Sequence, residues 1–349
     1  MMFSRSIFLA CCLASVSGYT DATATVDGLA ADAASAVADS AKPSWLLVVC
    51  GLPGDDAHRE RLSGAVEQIM SAATSVLQVP AENVTALVGD EAMQETLQPT
   101  LDRTLEICTR ESLQDAVTTL CETVPANADC WIILLGHADL YAGKSRFNVQ
   151  GPDLDQTDMA AWLQPLQAKR QIVLVTMPVS GFWLKPLAGA NRIVVSATEA
   201  DQEYTGTEMP YALADVLTGR GEHEKLRDAD GDGEFSLFDL YVIVNLEIHG
   251  RFKSLERLQT EHAQLEDNGD GRGSEVQSPY IPADPVETEE VAADDQPDDE
   301  DVTQEVVPVD GEQVLPTEPK SLTAPKPITN ESMDGYRARQ VLLDEPADQ

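Results

Sequence analysis

Trp45-Leu46-Leu47-Val48-Val49-Cys50 runs directly into Gly51-Leu52-Pro53-Gly54. An unbroken apolar run of this length, without polar alternation, describes a strand buried on both faces, and the glycines and proline end it in a loop. Strands buried on both faces belong to parallel sheets with helices packed above and below.

Working outward from that strand, Ala65, Ile69, Ala72, Ala73 and Val76 keep helical spacing, and Val84 to Val88 forms a second strand. Thr109 precedes Glu111 and a helix through Leu120, after which Trp131 to Leu135 is a third buried strand ending in Gly136-His137. A helix around Asp158 to Leu166 leads to a fourth strand, Ile172 to Val175, and a fifth, Ile193 to Ser196, precedes a helix from Pro210 to Leu217. Alternating strands and helices imply a doubly wound α/β domain with its active loops at the C-terminal ends of the strands, where His137 and the Thr176 to Gly181 loop both fall.

The chain of 349 residues carries a formal charge of -37. Such a surface repels nucleic acid and anionic membranes, and leaves cations and basic protein or peptide surfaces as partners. Fourteen acidic residues and no Lys or Arg lie between Ile281 and Pro319. That stretch, rich in Pro and poor in aromatics, is expected to be disordered.

Arg5, the apolar stretch Ile7 to Val16 and the small residues Ser15, Ser17 and Gly18 read as a secretory signal. The stretch is too short to span a bilayer, which needs about 20 apolar residues, and a lipoprotein site at Cys11 is the less favoured reading. Four cysteines remain beyond the signal: Cys50, Cys108, Cys121 and Cys130. In an oxidising compartment they allow two disulfides in three connectivities. Cys108 with Cys121, flanking one helix, is the favoured pair, and buried free thiols remain an equal reading for Cys50 and Cys130.

Over Trp45 to Leu217 the chain resembles the caspase-like and legumain-like cysteine peptidases. The resemblance rests on Gly136-His137-Ala138 after the third strand, Met177-Pro178-Val179-Ser180-Gly181 after the fourth, and Asn191-Arg192-Ile193-Val194-Val195-Ser196-Ala197-Thr198. It implies that His137 is the general base. Pro178, however, stands where the family's nucleophilic cysteine is expected, and proline has no attacking atom. A catalytically inactive pseudopeptidase or binding scaffold is the leading expectation. The alternative is an active cysteine- or serine-type peptidase in which Ser180 or Cys50 serves His137, under calcium control. Glu199, Asp201 and Glu203, after the fifth strand, read as a solvated acidic loop or as acceptors for a basic side chain.

Asp228-Ala229-Asp230-Gly231-Asp232-Gly233-Glu234-Phe235-Ser236-Leu237-Phe238-Asp239 reads position by position as a twelve-residue EF-hand loop. Asp228, Asp230 and Asp232 stand at positions 1, 3 and 5, Gly233 at the turn, Glu234 at the carbonyl position and Ser236 at position 9. Asp239 replaces the usual Glu at position 12, and its shorter arm lowers affinity or tilts the site from Ca2+ toward Mg2+. Glu266, Asn268 and Asp270 begin a second such loop, which ends at Gln277 without a carboxylate.

A helix leaving the first loop through Leu246, and a second helical stretch holding Phe252, Leu255, Leu258 and Leu265, would complete an α-helical EF-hand pair. A caspase-like domain followed by such loops resembles a class of exported bacterial proteins. The expected plan is a signal peptide (1–22), a linker (23–44), a caspase-like α/β domain (45–220), an EF-hand unit (221–277), a disordered acidic linker (278–333) and a short C-terminal segment (334–349). In that last segment Tyr336, Val341, Leu342 and Leu343 are apolar enough to dock back on the EF-hand unit.

Overall fold

A computed structural model describes residues 43–201, 204, 206–222, 227–282 and 327–344. The expected signal peptide, nearly all of the Ala/Asp-rich linker, most of the acidic stretch, and Glu203 lie outside these residues.

The protein is a mixed α/β fold around a mostly parallel sheet. In chain order its elements are β1 (Ser44–Cys50), α1 (Asp56–Ser75), β2 (Val84–Val88), α2 (Glu91–Leu101), β3 (Glu106–Ile107), α3 (Arg110–Thr123) and β4 (Asp129–Leu135). Then come β5 (Ala138–Tyr141), β6 (Lys144–Phe147), β7 (Leu154–Asp155), α4 (Gln156–Leu163), β8 (Arg170–Val175), α5 (Leu184–Leu187) and β9 (Arg192–Ser196). Helices α6 (Met209–Leu217) and α7 (Leu237–Ser254) and strand β10 (Gln264–Glu266) follow.

The sheet order is β10-β9-β8-β4-β1-β2-β3, parallel throughout except for β10, which runs antiparallel to β9. Strands β5 to β7 form a small antiparallel sheet directly after His137.

Alternate residues of β1 divide between two cores, as strand geometry requires. Leu46, Val48 and Cys50 join α1, α6 and α7 on one face, and Leu47 and Val49 join α3, α4 and α5 on the other. Local capping sets where the helices start: Asp55 accepts the His58 N–H, and Thr109 and Ser112 bond reciprocally as a capping box for α3.

The first core continues through Phe235, Phe238, Ala263 and Leu265 to Ala338, Val341 and Leu343. The boundary expected at 220/221 therefore falls inside one continuous core. Residues 341–343 pair with the acidic loop: Leu237 N–H donates to Val341 O at 2.8 Å and Leu343 N–H to Phe235 O at 2.9 Å. Asp344 N–H then reaches Val76 O, at the end of α1.

Three expectations are corrected. The second helical stretch does not form: Leu258 is exposed, and Leu265 sits in β10, fully buried against Val195 of β9. The second acidic loop is thus entered from a strand, and the first pairs with residues 341–343 rather than with the second, so no α-helical pair is built. The Cys108–Cys121 disulfide is absent: all four cysteines are free, with Cys108 sealed in the core and the Cys121 thiol directed at Trp162 O, 3.6 Å away.

Candidate functional site

His137 follows β4, and the Met177 to Gly181 turn follows the neighbouring β8, so the sheet brings both to one edge. His137 is half-buried, and its Nε2 lies 2.8 Å from Pro53 O. A carbonyl only accepts, so Nε2 carries the proton and Nδ1 is left as the basic nitrogen.

His58 packs edge-on against His137, with ring centroids 5.0 Å apart, and its Nδ1 donates to Asp55 Oδ1 at 2.9 Å. The Asp55 carboxyl is held below its usual range by the His58 backbone N–H and then by the His58 ring. Together Asp55, His58, His137, Asn148 and Asp153 line an open groove of about 650 Å³.

An aspartate orienting an imidazole is the second half of a nucleophile-activating arrangement. The sequence reading missed Asp55 and His58. Their signal was available: an Asp-x-x-His pair opening the helix at the C-terminal end of the first strand.

Neither expected nucleophile faces the groove. Ser180 is fully buried, and its Oγ accepts the N–H groups of Ala197 (2.9 Å) and Thr198 (3.0 Å), while Thr198 Oγ1 accepts the Ser180 N–H. Its role is to tie the β8 turn to the end of β9. Cys50 is also fully buried, and burial, with a smaller contribution from Asp90, pushes its thiol up to about 12. It is a small apolar side chain of the core and not a thiolate.

Pro178 is buried as well, and Val179 beside it has φ 50°. A β-branched residue in the left-handed region is strained. Gly181 is required, because a Cβ there would meet the Glu199 carbonyl carbon at 2.2 Å. Glu199 in turn faces Glu275, whose carboxyl holds it above the usual carboxylate range.

The second cluster lies in the acidic loops. One carboxylate oxygen from each of Asp228, Asp230 and Asp232 falls within 4.8 Å of the others. The loop folds around these side chains: Asp228 accepts N–H bonds from Gly231, Asp232 and Gly233, and Asp230 and Asp232 each accept one further along. Gly231 and Gly233 take φ of 78° and 91°, which only glycine adopts without strain.

Asp239 is fully buried. Its Oδ1 accepts from Ala229 and Asp230 N–H and its Oδ2 from the Ser236 hydroxyl at 2.6 Å. Ser236 thereby caps α7 and is not turned to solvent. Glu234 is exposed, with its carbonyl at the position where such loops use the backbone.

Three carboxylates so close repel one another, and a hard cation with oxygen ligands relieves that. The donor set fits Ca2+ or Mg2+. In the second loop Glu266 is fully buried, and Asn268 and Asp270 repeat the turn bonds of the first.

No family model matches the chain, and no curated protein does. Among solved structures, the crystal structure of Chaetomium thermophilum Raptor matches at 10% identity and a TM-score of 0.34. The match covers 52% of this chain and 18% of that one, so the chain spans less than a fifth of the Raptor chain's length. Among the described residues no helix is long and apolar enough to cross a membrane.

Proposed function

We propose that this chain is an exported calcium-binding protein whose caspase-like α/β domain binds a partner and does not cleave it. The observation that carries the proposal is the loop from Asp228 to Asp239, with three convergent carboxylates held by backbone N–H groups. Calcium is the favoured ion because the set is made of oxygens, and magnesium competes because Asp239 is shorter than the usual Glu.

The caspase-like reading is supported by His137 and the Pro178 turn closing neighbouring strands of the parallel sheet. Binding without cleavage is supported by Pro178 at the nucleophile position and by the engagement of Ser180 and Cys50 in the core. The groove beside His137, edged by Asp55 and Asp153, suits a basic peptide segment.

Calorimetric titration of the chelator-stripped protein with calcium tests the proposal. Wild type binds, and Asp228→Ala with Asp232→Ala removes the first-loop ion. No binding by wild type overturns the calcium reading. Hydrolysis of a peptide library that disappears in His137→Ala overturns the inactive domain.

A further inference from the structure

The second acidic loop, counted from Glu266 as position 1, repeats the turn bonds of the first and parts from it at position 12. At position 1, Asp228 accepts from Gly231 and Gly233 N–H, and Glu266 Oε1 accepts from Gly269 (2.6 Å) and Gly271 (3.3 Å) at the equivalent positions. Gly269 and Gly271 take φ of 85° and 77°, as Gly231 and Gly233 do. At position 12, however, Gln277 is turned away: its Oε1 accepts from Tyr241 Oη and its Nε2 donates to Ala263 O.

A carboxylate nevertheless occupies the place of position 12. In the first loop, Asp239 Oδ1 accepts the position 2 N–H and Oδ2 the position 9 hydroxyl. In the second, Asp334 Oδ1 accepts the position 2 N–H, from Asp267 (3.3 Å), and Oδ2 the position 9 hydroxyl, from Ser274 (2.5 Å). Asp334 comes from the C-terminal segment. The same segment is tied down by Asp267, whose carboxylate accepts the N–H groups of Gly335, Arg337 and Ala338.

Independently, Glu266 Oε2 is buried without a hydrogen-bond partner. The bonds from Gly269 and Gly271 tie Oε1 to the backbone of the loop and leave Oε2 as the carboxyl's one unengaged acceptor. A buried carboxylate oxygen left bare is costly and is the kind of group a cation satisfies.

We propose that the second loop is a divalent-cation site of Glu266, Asn268 and Asp270, completed by Asp334 from the C-terminal segment in the role Asp239 plays in the first loop. This rests on the calcium reading above and extends it. The ion held there clasps residues 327–344 to the loop, so binding and docking of the segment are one linked event.

Calcium calorimetry on the full chain carrying Asp228→Ala and Asp232→Ala isolates this site. One ion is expected to bind, and adding Asp334→Asn is expected to weaken it at least about tenfold. Hydrogen exchange in the same loop-one background reads the clasp without relying on the Asp334 variant's folding: calcium slows the amides of Gly335, Arg337 and Ala338.

Unchanged affinity in the Asp334 variant, or unchanged exchange at those amides, overturns the proposal. So does a wild type that binds one ion, lost entirely with Asp228 and Asp232, although the calcium reading then stands. A wild type that binds none removes both.

Discussion

Arg339 Nε lies 2.7 Å from Asp230 Oδ2, joining the C-terminal segment to the first acidic loop through a carboxylate whose side chain is 1% exposed. The guanidinium also stacks over Phe238, 4.8 Å from the ring centroid, which fixes it in place. Asp230 is thus compensated by a protein cation on one side and faces Asp228 and Asp232 on the other.

Removing one partner of a buried ion pair leaves the other charge stranded. Arg339→Ala is expected to destabilise the chelator-treated protein by about 3 kcal/mol. Calcium should narrow that gap, since an ion in the loop supplies positive charge. Urea unfolding with and without calcium measures both; an equal gap in the two conditions means the loop holds no ion beside Asp230.

Ser180→Ala removes the acceptor of the buried Thr198 N–H, while the Ala197 N–H keeps its second acceptor, Val175 O, at 3.1 Å. Each unsatisfied donor costs about 1–3 kcal/mol. A loss of about 2 kcal/mol in urea unfolding is expected, which a serine free to attack a substrate would not give.

The thiols divide by burial. Burial pushes Cys50 and Cys130 up to about 12 and raises Cys108 as well, so their thiolates form only in strong alkali while the fold persists. With Ellman's reagent at pH 8, half-buried Cys121 is expected to react first among the four, and the other three only in denaturant. Rapid labelling of native Cys50 would restore it as a partner for His137.

Asp155 gives a pH signature. Burial alone would raise its carboxyl, but bonds from Lys144, from the Thr157 hydroxyl and from the first N–H groups of α4 bring it down to about 2, from an ordinary 3.8. A depressed carboxyl stabilises the fold fully above the unfolded value and loses that contribution as pH falls through the folded one. Asp155→Ala, which also removes the α4 cap, should cost about 1 kcal/mol at neutral pH. The difference from wild type should shrink as pH falls from 4 to 2, read by thermal unfolding.

The long strands were legible because burial on both faces leaves an unmistakable run, as in Trp45 to Cys50 and Trp131 to Leu135. Strands β3, β7 and β10, of two or three residues each, have no periodicity to read. Leu265 illustrates the failure: its spacing from Phe252 and Leu258 suits a helix, but pairing with β9 outweighs that local preference.

The first acidic loop could be read because every donor lies within twelve residues. Asp334 could not be assigned to the second loop from spacing, since it reaches that loop only through the tertiary return of the chain. Asp55 and His58 were overlooked because two common polar residues at a helix start ordinarily serve as a cap, and Asp55 does that too.

The return of residues 341–344 to Phe235, Leu237 and Val76 also sets the order of events during synthesis. A ribosome making this chain completes the sheet strands and α7 long before Val341 exists, with the whole acidic stretch still to come. Phe238 and its neighbours then wait with one side uncovered until the last contacts arrive. The nascent protein is thus most vulnerable to aggregation just before residue 344 is made, and the long acidic stretch translated in that interval adds charge that keeps neighbouring chains apart.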